Sequence, residues 1–375
     1  MDPSPVTRTQ HENFSAHTVR LAWILAVAYL LVIVYASLRP FLGWRMPPEE
    51  VLHFLTAPWP RFTLLPDIVA NIGAYIPLGL MLSVGFGARY GPGRGAIAAT
   101  FAATLLSLLM ETLQMFIPVR IASNIDLFTN SLGALIGAMA APLLAPSRAL
   151  GAPLNAARDR VFHEGVMADV GVVVLMLWLF TQFHPTAQLF GTGAYRGTFD
   201  LPAYFAHTPL LAFGSETAVV TLNLLGVGLM LSALLRDGQR PVLVSGTVIG
   251  AALVVKWITT ALIVQMPTPL TWLTPGVLTG LAAGSILLFA AIHLPRQARL
   301  GVATACIAAA TVAINLAPDN PYQSSPPQMF VRGSSLFLSF SGIVRALAEL
   351  WPLLAIGYLA CALGSNRKEG DGNPL

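Results

Sequence analysis

The stretch "METLQMFIPVRIASNIDLFTNSLGALIG", residues 110–137, carries Glu111, Gln114, Arg120, Ser123, Asp126 and Asn130 inside an otherwise apolar run. These side chains suit two kinds of chemistry. A carboxylate such as Glu111 or Asp126 can hold a polar headgroup or act as a general acid or base, and Arg120 can hold a phosphate. The spacing gathers them. Glu111 and Gln114 are i, i+3, Asp126 and Asn130 are i, i+4, and each pair shares a helix face. Gly133 and Gly137 continue the second stripe as a GxxxG that permits close helix contact. Upstream, "PDIVANIGAYIPLG" sets Asp67 and Asn71 at i, i+4, and Arg39 stands in "YASLRP".

The elements that must position these residues are set by composition. Of 375 residues 55% are apolar and 10% charged, and the mean hydropathy is +0.69, whereas soluble domains carry about 25% charged residues. That is a membrane protein. Runs long enough to cross about 30 Å of hydrocarbon occur about ten times: Leu21–Leu38, Ile68–Phe86, Ala96–Ile117, Leu127–Ala145, Val166–Phe183, Thr217–Leu235, Val242–Val264, Pro275–Leu294, Leu300–Leu316 and Ile343–Leu363. In lipid such runs must be helices, which satisfy their own backbone hydrogen bonds. The expected fold is therefore an all-α polytopic transmembrane bundle. A polar segment of about 20 residues precedes the first run, which is read as a retained span and not a secretory signal. The basic residues are scattered singly, so the net charge of +4 reflects loop anchors and not a nucleic-acid surface. Cys306 and Cys361 lie in apolar runs and offer neither a disulfide framework nor a zinc site.

Orientation follows from Arg and Lys. With the N-terminus inside, the inner segments hold thirteen basic residues and the outer loops six, which places both termini in the cytoplasm. The third run then travels outward, and Glu111 lies about 9 Å below its outer end. Asp67 and Asp126 open inward-running helices, where a carboxylate is also a good cap. Glu111, near a C-terminus, has no such explanation. An ionised group in a bilayer costs a few kcal/mol and is normally paired or functional. Arg39 and Arg120 supply cations here, and Asp67, Glu111 and Asp126 the carboxylates, with an ion pair between Glu111 and Arg120 as the purely structural alternative.

In this order "YASLRP", "DIVANIGAYIPLG" and "METLQMFIPVRIASNIDLFTNSLGALIG" resemble the VanZ-like family of membrane proteins, over about residues 20 to 145. The motif falls on Arg39, Asp67, Asn71, Pro77, Gly79, Glu111, Gln114, Arg120, Ser123, Asp126, Asn130 and Gly133. The resemblance implies an envelope-associated membrane protein of a bacterium, with a link to glycopeptide (teicoplanin) resistance, more than any one reaction.

The organisation expected is a cytoplasmic tail at 1–20, a VanZ-like four-helix domain at 21–145, a six-helix region at 166–363 and a second cytoplasmic tail at 364–375, both tails without structure. The six-helix region is a candidate degenerate repeat: "GLMLS" at Gly79–Ser83 recurs at Gly228–Ser232, and the same offset carries Asp67 onto Glu216. Its polar residues again gather at the outer side. Glu216, Lys256, Arg345 and Glu349 form a secondary cluster, joined by Gln265, Asp319 and Asn320, with Lys256 either snorkelling or paired to Glu216. "PPEEVLHFL" reads as a short interfacial helix, and the loops at 185–215 and 318–342 as segments that lie on the membrane or cap a site.

No P-loop, dinucleotide fingerprint, HExxH or GxSxG occurs, so no cofactor or metal is expected. Three functions remain. The chain binds or moves an amphiphilic envelope molecule, such as a lipid-linked precursor or a glycopeptide; or it is an intramembrane enzyme acting on such a lipid, with Glu111 or Asp126 as acid or base; or it is a structural partner of envelope proteins or of its own copies. Membrane lipids are partners in every case.

Overall fold

The structure is a computed structural model, and it describes residues 16–38, 41, 43–47, 50–59, 65–144, 151–183, 188–196, 204–261, 270, 272–318 and 335–371. Eleven α-helices occur among them: α1 (Ala16–Leu38), α2 (Leu65–Tyr90), α3 (Pro92–Gln114), α4 (Asn124–Ala140), α5 (Gly151–Val161), α6 (Val166–Thr181), α7 (Pro209–Leu234), α8 (Pro241–Thr259), α9 (Pro275–Ala291), α10 (Arg296–Leu316) and α11 (Ser335–Asp371). The fold is an all-helical polytopic bundle. Each apolar run of the sequence has its helix. Eight helices are long and apolar enough to cross a membrane, while α6 and α9 are shorter apolar helices of 16 and 17 residues.

Local sequence explains where the helices begin. Gly91, with φ of 82°, turns the chain, and Pro92 starts α3 where a missing N–H costs nothing. Thr208 and Thr274 cap α7 and α9, each hydroxyl accepting the N–H three residues on, and each is followed by proline. Three local expectations change. The "PPEEVLHFL" segment forms only a 3-10 turn at His53–Leu55, because Leu52 takes a left-handed φ of 73° and breaks helical propagation. The C-terminal tail expected to lack structure continues α11 to Asp371, since no proline interrupts it. Residues 151–161, which belong to neither of the expected helical regions, form α5, whose polar character gave no apolar periodicity to read.

The chain divides into two compact units, Met1–Arg160 with Ser334–Ile343, and Val161–Gly333 with Val344–Leu375. In the first, α2 and α4 pack with their backbones almost touching. A Cβ on Gly79 would collide with the Ala134 backbone, and one on Gly133 or Gly137 with the backbone of Ile72 or Ile76. The GxxxG is thus spent inside the unit, against α2. Around this contact the buried core is built from Ala26, Ala99, Ala103, Ala134 and Ala138 with Ile33, Tyr75 and Leu78. Small residues let helices approach where lipid supplies no hydrophobic drive between them.

In the second unit α7 is the buried axis. Gly280 of α9 lies against Thr217 and Val220, and Gly226 and Gly228 of α7 lie against Ile307 of α10 and Leu288 of α9. Arg296 donates to the Ala233 carbonyl and Arg299 to the Ser232 carbonyl and hydroxyl, so two cations close the C-terminal end of α7. An antiparallel bridge, Phe162 to Leu235, ties the entrance of α6 to the exit of α7.

Packing this tight is testable. Gly137→Leu should destabilise the purified protein by about 3 kcal/mol, as an overfilled core does. Gly73, with open space around its Cβ, should accept alanine and gain about 1 kcal/mol of helix propensity. Thermal unfolding in mild detergent measures both, and equal melting of the two variants would contradict the close approach of α2 and α4.

Candidate functional site: a two-layer polar core

The polar residues of α2, α3 and α4 meet at the end of the unit where α3 stops and α4 begins. α3 ends at Gln114, three residues earlier than the apolar run suggests. The backbone turns instead: Phe116 donates to Leu113, Ile117 to Gln114 and Arg120 to Ile117. Pro118 prevents any continuation of the helix. Glu111 therefore sits in the last turn of α3, only 4% exposed, with the returning chain folded over it. Ser123 is extended, with φ of −137°, immediately before α4. Its backbone N–H points at Glu111 and donates to Oε2 at 2.8 Å. One orphan N–H at the start of α4 and one carboxylate at the end of α3 thus satisfy each other.

The same layer holds three further bonds. Asn71 Nδ2 donates to Asp126 Oδ1 at 2.8 Å, joining α2 to α4. Gln114 Nε2 donates to the Ser37 carbonyl at 3.1 Å, and Arg120 Nη2 to the Ala36 carbonyl at 2.9 Å. Both reach the end of α1. Arg120 and Asp126 are the charged neighbours of Glu111. Arg39 and the Asp67 side chain lie outside the described residues.

A second layer lies one helical turn deeper. Tyr75 follows Asn71, Asn130 follows Asp126, and Ser107 precedes Glu111, each by four residues. Asn130 Nδ2 donates to Ser107 Oγ at 3.0 Å, and Ser107 is also hydrogen-bonded to Tyr75. Tyr29 of α1 closes the layer by donating to the Ala74 carbonyl at 2.8 Å. The sequence reading missed Tyr75, Ser107 and Tyr29. The i, i+4 rule that found Asn71 and Asn130 also points to Tyr75 and Ser107, one turn along.

At the rim the chain is exposed and apolar. Val119 and Ile121 flank the exposed Arg120. Trp59 packs on Phe128 at 5.9 Å between ring centroids, and Trp44 Nε1 donates to the Phe41 carbonyl. Asn124 Nδ2 holds the Ala57 carbonyl, and the Arg45 N–H donates to the Phe116 carbonyl. The loop between α1 and α2 is thereby fastened over the site, with its tryptophans where an interfacial belt would be.

Residues 3–145, which include the whole of this site, match the VanZ/LLP1 family model. The N-terminal domain is VanZ-like. No curated protein and no solved structure matches the chain. Within that stretch Asn71, Glu111, Ser123, Asp126 and Asn130 form the two layers, while Gln114 and Arg120 tie them to α1.

The second unit treats its polar residues differently. Glu216 Oε2 accepts the Thr274 hydroxyl at 2.6 Å, and the Glu216 carbonyl accepts Gln188 Nε2. Arg345 and Glu349 pair at 3.0 Å along α11. Lys256 is 1% exposed, so it does not snorkel along a lipid-facing surface. Gln265, Asp319 and Asn320 lie outside the described residues. Of the loop expected to lie on the membrane or cap a site, residues 188–196 are described, and Leu189 and Phe190 are fully buried rather than laid on the surface. Asn315 Oδ1 accepts the N–H groups of Tyr195 and Arg196, and its Nδ2 donates to the Gly193 carbonyl. Irregular backbone inside a membrane protein survives only when its polar groups are satisfied in this way. Burial raises the Tyr195 phenol above its ordinary pKa, with the Glu349 charge adding to the effect.

Among the described residues no group of three or more His, Cys, Asp or Glu is placed to hold a metal ion.

The Ser123–Glu111 bond separates two substitutions. Glu111→Gln keeps an acceptor for the Ser123 N–H and should melt close to the wild type. Glu111→Ala leaves that N–H unsatisfied and should cost about 1–3 kcal/mol. Thermal unfolding of the two variants decides it, and an alanine variant as stable as the glutamine one would show that the bond carries no weight.

Proposed function

We propose that this protein resides in the cytoplasmic membrane of a bacterium and binds an amphiphilic envelope molecule at the outer end of its VanZ-like domain. The observation that carries this reading is the buried Glu111, held by the Ser123 N–H beneath a rim of exposed Val119, Arg120 and Ile121. A polar headgroup would meet the carboxylates of Glu111 and Asp126 and the guanidinium of Arg120. Its apolar chains would meet the exposed rim and the lipid-facing helix surfaces. A lipid-linked precursor of the envelope has this composition, and so does a lipid-bearing glycopeptide, which would connect the site to glycopeptide resistance. The asymmetry of Arg and Lys supports an orientation with both termini inside and this rim outside.

Native mass spectrometry of the purified protein in mild detergent, wild type beside Glu111→Gln, tests the reading. The wild type should retain a lipid of one headgroup class, and the variant should lose at least about tenfold of it, the worth of one charge-assisted hydrogen bond. Equal retention in both would overturn the assignment of Glu111 to a headgroup site.

A further inference from the structure

We propose that Arg299, in the second unit, binds a phosphate group at the membrane surface through the edge of its guanidinium formed by Nε and Nη2. The other side of the group is anchored. Nη1 donates to the Ser232 carbonyl at 2.7 Å and to the Ser232 hydroxyl at 3.0 Å, and Ser232 itself is buried. The remaining edge is open: Nε is buried with no acceptor among the described residues, Nη2 has none among them either, and no described carboxylate pairs with this arginine. A charged donor left without an acceptor is costly. Closing the C-terminal end of α7 does not require that edge, since the ammonium of a lysine would serve the same carbonyl. What arginine adds is a planar fork of parallel N–H groups that matches the oxygens of a phosphate.

The placement suits such a ligand. Arg296 Nε donates to the Ala233 carbonyl, the next one along α7, at 3.1 Å, so a second positive charge stands beside Arg299 and acts on it. The exposed side chains of Phe289 and Leu294 come shortly before α10, and the helix turns apolar from Leu300 onward. The guanidinium therefore stands where an apolar helix surface meets its polar end, the level of a headgroup on its acyl chains. On the orientation supported by the Arg and Lys asymmetry, this end of α10 faces the cytoplasm, where anionic phospholipids concentrate. The phosphate has two sources, the headgroup of such a lipid or a free phosphate ion. The site lies outside the VanZ-like domain and is independent of the envelope-molecule reading.

Thermal unfolding of the full-length protein in non-ionic detergent distinguishes these. At constant ionic strength, sodium chloride is replaced stepwise by sodium phosphate. In a parallel arm kept in sodium chloride, the micelles are doped with phosphatidylglycerol, or with a monoglucosyl diacylglycerol that carries no phosphate. The expected result is a saturable rise in Tm of about 3 °C or more with phosphate or with phosphatidylglycerol, and none with the glycolipid. A response to inorganic phosphate assigns the free ion, and one confined to the phospholipid assigns the headgroup. Arg299→Lys keeps the charge and a donor for Ser232 but loses the fork, and should raise the midpoint concentration at least about tenfold, the worth of one charge-assisted hydrogen bond. Arg240→Gln removes an exposed charge from the connection between α7 and α8, at the same end of the unit, and should leave the midpoint within about twofold. Should Arg299→Lys fail to fold, the wild type with isotope-labelled arginine supplies the test: one Nε–H resonance should shift with the phosphate-bearing ligand and not with the glycolipid. No rise with phosphate or phospholipid, an equal rise with the glycolipid, a midpoint unchanged in Arg299→Lys or moved as far in Arg240→Gln, or no shifted resonance overturns the proposal.

Discussion

A carboxylate buried in the last turn of an apolar helix is unfavourable twice over, because it loses water and faces the negative end of the helix dipole. Glu111 of α3 is in that position, and the surrounding architecture follows from meeting its needs. The nearest uncommitted donors in a helical protein are the first N–H groups of another helix. The chain therefore has to bring the start of α4 back to the end of α3, which the turns at residues 114–120 and the extended Ser123 accomplish. That reversal fixes Asp126 and Asn130 on the face of α4 that looks toward α2 and α3. Asn71 and Ser107 are then within reach, and Gln114 and Arg120 reach the last carbonyls of α1.

Polar contacts of this length also need helices that stand close, and here the small residues enter. Gly79, Gly133 and Gly137 allow α2 and α4 to pack backbone against backbone, so the short side chains of Asn71 and Asp126 span the gap. The packing and the polar core are thus one device. The second unit uses the same small-residue logic with different chemistry at its end. Gly276 and Gly280 bring α9 onto α7, and the N-cap Thr274 donates its hydroxyl to Glu216. In the first unit the residue before α4 offers its backbone N–H to Glu111 instead. In both, a buried glutamate closes the N-terminal end of a glycine-bearing helix.

The sequence made the helices and the end-loaded polar residues legible because both obey simple periodicities. Apolar runs of about 20 residues announce themselves by composition, and Asp126 with Asn130, or Asp67 with Asn71, by spacing. Partner identity was less legible. A pairing of Glu111 with Arg120 is the natural guess from charges alone, yet the bond the carboxylate accepts comes from a backbone N–H, and backbone donors leave no mark in a residue list. Tyr75 and Ser107 escaped for a related reason, since a tyrosine and a serine within an apolar helix look like ordinary composition until their neighbours are known. The buried loop at 188–196 was hidden because its anchor, Asn315, stands more than a hundred residues away and reads as a helix-end polar residue. Lys256 was ambiguous because snorkelling and burial place the same residue at the same depth in a span, and only the tertiary contacts of α8 decide between them.

The two layers of the VanZ-like core differ in what they can still do. In the outer layer, Glu111 accepts the Ser123 N–H and Asp126 accepts Asn71 Nδ2, bonds that fix the orientation of both carboxylates. In the inner layer, Ser107 serves both Tyr75 and Asn130, which uses up the donors and leaves the Asn130 oxygen facing inward. Among the described residues the deeper layer is therefore the one with an acceptor left over, while Arg120 is exposed at the rim. Arg120 at the rim reaches the Ala36 carbonyl of α1, so the same short turn that buries Glu111 also ties the exposed rim to the first helix.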